Sequence, residues 1–95
     1  MSDPLAKMQS PDVPVYNCVV IVSPRDAAGL VHARCATVAG IDASGPSERE
    51  ALSQVVTAFK ATIARHLAAD LPIPWIDPPS PPAAGEQQRF IAVHL

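Results

Sequence analysis

The segment from Ser47 to Asp70 constrains the fold most, because its pattern predicts one long amphipathic helix. Ser47 and Glu50 form a capping-box pattern, in which the serine oxygen accepts the N–H of Glu50 and the carboxylate reaches back. At ~1.5 Å per residue the helix is roughly 35 Å long, and Pro72 ends it. Its apolar residues recur at three- and four-residue spacing, which predicts one stripe for packing. They are Leu52, Val55, Val56, Phe59, Ile63 and Leu67.

Four segments predict strands, three of them before the helix and one after it. They are rich in β-branched residues and bounded by Pro, Gly, Ser or Asp, as strands usually are. The resulting order is β-β-β-α-β, which predicts an α+β fold with the helix packed on one face of a small, mainly antiparallel sheet. The predicted strands span residues 15–22, 30–37, 38–43 and 89–95.

The alternation of side chains along the first two strands assigns a core face and an outer face. A hairpin in which Pro24 faces Gly29 brings Val22 opposite Val31 and Cys18 opposite Cys35. The face that carries these residues is uniformly apolar and is the predicted core. The opposite face is mixed, with an apolar centre, which predicts a surface for self-association. The residues expected to form this oligomer interface are Val19, Ile21, His32 and Arg34.

Length and composition limit the possible organisation to one domain. The chain has 95 residues and a net charge of −2, which is unusual for a dedicated nucleic-acid binder. We expect an N-terminal arm at 1–14, a single domain at 15–95 and a proline-rich loop at 72–88. No apolar run reaches ~20 residues and no signal peptide is evident, so we expect a cytoplasmic protein.

No residue pattern predicts catalysis, a cofactor or a metal. The histidines are scattered over separate elements, without the spacing that metal ligation needs. Cys18 and Cys35 would allow a disulfide across the hairpin, but two buried thiols suit a cytosolic protein better. Trp75 is expected either as a lid over the core or as an interface anchor. Trp75 and Phe90 are therefore possible partner contacts.

Several short motifs follow one another along the chain: Gly29, Val38-Ala39-Gly40-Ile41, Ser44-Gly45-Pro46, Glu50-Ala51-Leu52 and Leu71-Pro72-Ile73-Pro74. In this order they resemble the HicB-like antitoxin domain. The resemblance implies a partial ferredoxin-like fold, a homodimer or higher oligomer, and binding to a small toxin of the HicA type. Such antitoxins usually carry a DNA-binding segment after this domain, whereas this chain ends at Leu95, so we expect a stand-alone form. The alternative is an orphan αβ module that binds nucleic acid through strand aromatics.

Overall fold

A computed structural model of the chain describes residues 15–95, and over them the predicted α+β order is confirmed. The four strands form one antiparallel sheet in the order β3-β2-β1-β4, and the helix packs on one of its faces. The expected arm at 1–14 lies outside the described residues. The elements are β1 (Val15–Val22), β2 (Val31–Cys35), β3 (Asp42–Gly45), α1 (Glu48–Ala68) and β4 (Gln87–His94).

The core lies between α1 and the sheet face assigned from the alternation. On the helix, Ala51, Val55, Phe59 and Ile63 are completely buried at four-residue spacing. Leu67 is 51% exposed, so Ile63 is the last residue of the apolar stripe that is buried in the core. The six strand residues predicted to face the core are all buried against the helix. They are Cys18, Val20, Val22, Val31, Ala33 and Cys35.

The start of α1 follows the predicted cap. The Ser47 hydroxyl accepts the N–H of Glu50 at 3.2 Å, which satisfies a backbone donor that has no partner within the helix. Glu48 and Glu50 also place negative charge in the first turn, at the positive end of the helix dipole. A Cβ on Gly45 would lie 3.3 Å from the N of Ala51, so this glycine lets β3 approach the helix closely.

The end of α1 is a Schellman motif, which closes the helix before the predicted Asp70. The N–H of Asp70 donates to the carbonyl of Leu67 at 3.2 Å, and that of Leu71 donates to His66 at 2.9 Å. This arrangement requires a left-handed residue, and Asp70 supplies it with φ of 55°. Glycine usually occupies this position, because it has no Cβ to strain the conformation.

The β1–β2 register differs from the expected one by two residues. Val22 pairs with Ala33 and Val20 pairs with Cys35, so Cys18 and Cys35 do not lie directly opposite. The cause is the connecting loop, where the N–H of Ser23 donates to His32 and extends the ladder in this register. A shift of two residues preserves the faces, which is why the core assignment holds despite the register error.

The third strand is displaced from the expected 38–43. Gly40 has φ of +82° and turns the chain, whereas Val38 forms an isolated bridge with Trp75. The strand begins only at Asp42 and continues through Gly45, which was expected in a turn. The predicted start at residue 38 is therefore four residues earlier than the observed start at Asp42. Residues 38–41 favour strand by composition, but the turn at Gly40 interrupts the extended backbone.

Candidate protein-binding surface

The outer face, defined as the sheet face opposite α1, carries the predicted oligomer interface. Val19 is only 6% exposed and Ile21 only 1%, and with Ala36 they form a second, smaller apolar cluster. The sequence predicted that these two side chains are exposed, and this was wrong. Both are buried within the chain, so neither is accessible to a partner. His32 and Arg34 lie on the same face and are engaged in polar contacts. Self-association itself stays a prediction.

The burial of this cluster is explained by the strap, which we define as residues 76–86 of the proline-rich loop. After α1 the chain returns along the end of β2 on the outer face. The N–H of Ile76 donates to the carbonyl of Thr37 at 2.9 Å, and that of Ser80 donates to Ala36 at 3.1 Å. Because proline has no N–H, the few other residues of the strap must provide these anchoring bonds.

A salt bridge ties the far end of the strap to β2. The Arg34 guanidinium donates to the Glu86 carboxylate at 2.7 Å and to the carbonyl of Pro81 at 3.4 Å. The Arg34 bond, together with one from the N–H of Ala83, holds the pKa of Glu86 below its usual value. Arg34 therefore holds the strap in place, which differs from its predicted role as an interface residue.

His32 is committed to the hairpin loop. Its Nε2 lies 2.6 Å from a carboxylate oxygen of Asp26, whose other oxygen accepts the N–H groups of Ala28 and Leu30. These bonds, that of His32 first, lower the pKa of Asp26. The cluster is an aspartate-centred turn, which fixes the loop between β1 and β2.

Trp75 combines features of both roles expected for it. Its ring stacks on Tyr16 at a centroid distance of 5.9 Å and meets Phe59 edge-on at 6.5 Å, so part of it closes the core. The side chain is nevertheless 46% exposed. An aromatic ring held rigidly against the core and half open to solvent is well suited to anchor a partner.

Phe90 is the more exposed of the two predicted contact residues. It lies on β4 directly opposite Val19, with its side chain on the outer face and 75% exposed. Its neighbour on the same face, Ala92, is also exposed. A Phe that is 75% exposed on an edge strand is a candidate contact.

Two adjoining grooves connect Phe90 on the outer face with Trp75, which packs against Tyr16 beside the start of β1. One, of about 500 Å³, lies between Phe90 on β4 and Pro79 of the strap. The other, of about 390 Å³, lies between Pro79 and Trp75, beside the start of β1. Asn17, Thr37 and Pro79 line both, so the grooves form one surface with an aromatic residue at each end. This surface was not predicted, because Pro79 reaches it only through the path of the strap.

A buried threonine supports the floor of these grooves. Thr37 is 8% exposed, and its hydroxyl accepts the N–H of Val19 at 3.3 Å while donating to the carbonyl of Asn17 at 3.2 Å. The hydroxyl thereby takes the place of the β2 backbone carbonyl that would accept the Val19 N–H if β2 continued beyond Cys35. The sequence signal for this role is weak: a single hydroxyl at the end of an apolar strand.

The two cysteines are free and buried in the core, as favoured from the sequence. The Cys18 thiol donates a hydrogen bond to Cys35, and this bond together with burial raises the pKa of Cys18. The same bond lowers the pKa of Cys35 to about 5, against the effect of burial. Both side chains are almost completely buried, at 0% and 5% exposed, so neither sulfur is accessible to a reagent from solvent.

Within residues 15–95 there is no cluster of three or more His, Cys, Asp or Glu side chains that could hold a metal ion. In the same part of the chain, α1 is not apolar enough over its length to cross a membrane. The polar groups of the outer face bond to one another. His32, Arg34, Asp42 and Glu86 also line a third cavity, of about 390 Å³, between β2, β3 and the end of the strap.

Comparison with protein-family models, with curated proteins and with solved structures finds no match to this chain. The resemblance to the HicB-like domain therefore rests on the short motifs alone and stays a prediction.

Proposed function

We propose that the chain is a non-enzymatic, oligomeric protein-interaction domain of the cytoplasm, similar to the toxin-neutralising domain of HicB antitoxins. The observation that carries the proposal is the pair of adjoining grooves with Trp75 at one end and Phe90 at the other. Aromatic side chains are enriched at protein interfaces, where they contribute most of the binding energy.

Two arginine side chains form salt bridges within the chain, which favours a role in protein binding over a role in catalysis. Arg34 is paired with Glu86, and Arg89 is paired with Glu48 at 3.0 Å. These charged groups hold the strap and the last strand in place. The two grooves are bordered by Trp75 and Phe90.

A small basic protein is the partner that the charge favours. The chain carries a net charge of −2, and Asp77 lines the groove beside Trp75. Charge complementarity of this kind steers association and favours the correct partner. A toxin of the HicA type, as implied by the motif resemblance, fits this description.

The test is binding to a small basic toxin of the HicA type, measured by titration calorimetry. Trp75→Ala and Phe90→Ala should each weaken binding about tenfold or more, the loss expected when an interface anchor is truncated. Leu67→Ala is the matched control, because Leu67 is 51% exposed but lies on α1. Equal affinity for all three variants, or no binding by the parent, would overturn the proposal.

Nucleic-acid binding is the second candidate, and one observation favours it: Phe90 is exposed on a sheet, where RNA-binding modules present stacking aromatics. Against it, the strap covers part of the outer face and both Arg34 and Arg89 are paired. A gel shift that weakens steeply with salt would support this candidate over protein binding.

A further inference from the structure

The two edges of the sheet differ in how well they are protected. β3, at one edge, has four residues and lies close to the start of α1, with the Gln54 amide donating to the carbonyl of Ser44. β4, at the other edge, has eight residues and contains no proline, lysine or glycine. Natural proteins use such residues, bulges or covering elements to prevent edge strands from pairing.

Within residues 15–95 no other strand pairs with the outer edge of β4, and the backbone bonding identifies the residues that present this edge. The N–H of Ala36 donates to Val19 and that of Ser23 donates to His32, so odd-numbered residues of β1 face β2. Even-numbered residues of β1 therefore face β4, and the pairing of Val20 with Arg89 makes the odd-numbered residues of β4 face β1. The peptide groups that point away belong to Gln88, Phe90, Ala92 and His94.

We propose that a second copy of the chain pairs antiparallel with this edge, joining the two sheets into one across a two-fold axis. The inference deepens the oligomeric part of the proposed function and does not depend on the toxin. The four outward residues are symmetric about Ile91, so a two-fold axis there uses all of them. With two bonds exchanged per facing pair, the ladder gains about eight hydrogen bonds.

This register also suits the side chains. It places Phe90 opposite Ala92 of the partner subunit and brings the two Phe90 rings together diagonally, within reach of aromatic contact. The ring that is 75% exposed in one chain thereby gains a contact in the dimer.

Charge supports a second copy as the occupant. Arg89 is the one Asp, Glu, Lys or Arg residue of β4, and it is already paired with Glu48. An axis at Ile91 keeps the two Arg89 side chains four residues apart along the ladder, whereas an axis at Arg89 would set them face to face.

The dimer should be weak. An edge-to-edge ladder with one aromatic pair buries less surface than the ~1,200 Å² at the lower limit of standard interfaces. We therefore expect a dissociation constant on the order of 10–100 µM. Sedimentation over about 5–500 µM should show a monomer–dimer equilibrium for the full chain.

Phe90→Lys tests the interface, because it places a charged side chain at a largely exposed position of the edge. It should raise the dissociation constant at least about tenfold without lowering the melting temperature. Leu67→Lys, the same change at an exposed position of α1, should leave the equilibrium unchanged. Hydrogen exchange gives the register: with rising concentration the amides of Phe90 and Ala92 should slow, and those of Arg89 and Ile91 should not.

Three outcomes would overturn this inference. The first is a parent chain that stays monomeric at every concentration, which is the result expected if residues 1–14 or a different protein took the edge. The second is dimerisation of Phe90→Lys as strong as that of the parent. The third is slowed exchange in β3 or α1 instead of β4. Each of these results is independent of whether a toxin binds, so failure here is distinguishable from failure of the proposed function.

Discussion

Replacing Thr37 by valine removes one buried hydroxyl while leaving the shape of the side chain almost unchanged. Valine is more apolar than threonine and at least as favourable in extended structure, so composition alone predicts a neutral or stabilising change. The structure predicts the opposite, because the Thr37 hydroxyl is the hydrogen-bond acceptor for the N–H of the buried Val19.

The magnitude follows from the two groups that lose a partner. The N–H of Val19 is left unpaired in a buried site, which costs about 1–3 kcal/mol. The carbonyl of Asn17 belongs to an exposed residue and can bond to water instead. The added methyl group offsets up to about 0.8 kcal/mol. We therefore expect Thr37→Val to lower the free energy of unfolding by about 1–2 kcal/mol, or the melting temperature by about 5–15 °C.

Urea unfolding followed by the fluorescence of Trp75, the single tryptophan, measures this difference. Thr37→Ser is the matched control, because it keeps the hydroxyl and loses one methyl group, at a cost of about 0.8 kcal/mol. A valine variant as stable as the parent would refute the role assigned to the hydroxyl.

Three further changes test the fold. Phe59→Ala should cost about 3–5 kcal/mol, because it empties the centre of a small core, whereas Phe59→Leu should cost less than about 1.5 kcal/mol by the same denaturation assay. Asp70→Gly should stabilise the chain by about 1 kcal/mol, since glycine adopts the left-handed conformation without strain; a lower melting temperature would contradict this. The pKa values of Asp26 and Glu86 are lowered from 3.8 and 4.5. The two ionised carboxylates therefore stabilise the fold above these pH values, and this stabilisation is lost as the pH falls below them. The melting temperature should fall in that acid range, and less so in the Asp26→Asn, Glu86→Gln double variant.

The parts of the fold that were predictable from sequence are those set by local pattern. The alternation in β1 and the spacing of Val55, Phe59 and Ile63 each reflect one element packing on one surface. The capping serine likewise acts within a single helical turn. These features depend on residues close together in the chain, so the pattern was sufficient.

The features that were missed depend on residues far apart in the chain. Val19 and Ile21 were expected on an open surface, but the strap crosses them from more than 50 residues away in sequence. The register depends on how the Asp26 loop closes, and β3 depends on the turn at Gly40. Neither is encoded in the alternation of apolar and polar residues.

The candidate surface was partly predictable. Trp75 and Phe90 were selected because aromatic residues are rare in this chain and frequent at interfaces. Both prove to be substantially exposed, and they border adjoining grooves. The contribution of Pro79 between them could not be predicted, because it requires the path of the strap.

The central claim is that partners bind at the two adjoining grooves between Trp75 and Phe90 and at the outer edge of β4. Hydrogen exchange of the full chain, alone at high concentration and together with a small basic toxin of the HicA type, tests this most directly. We predict slowed exchange within 75–80 on addition of the partner and at alternate amides of 88–94 as the chain self-associates. Slowed exchange confined to the exposed side of α1, or no change in either segment, would contradict the claim.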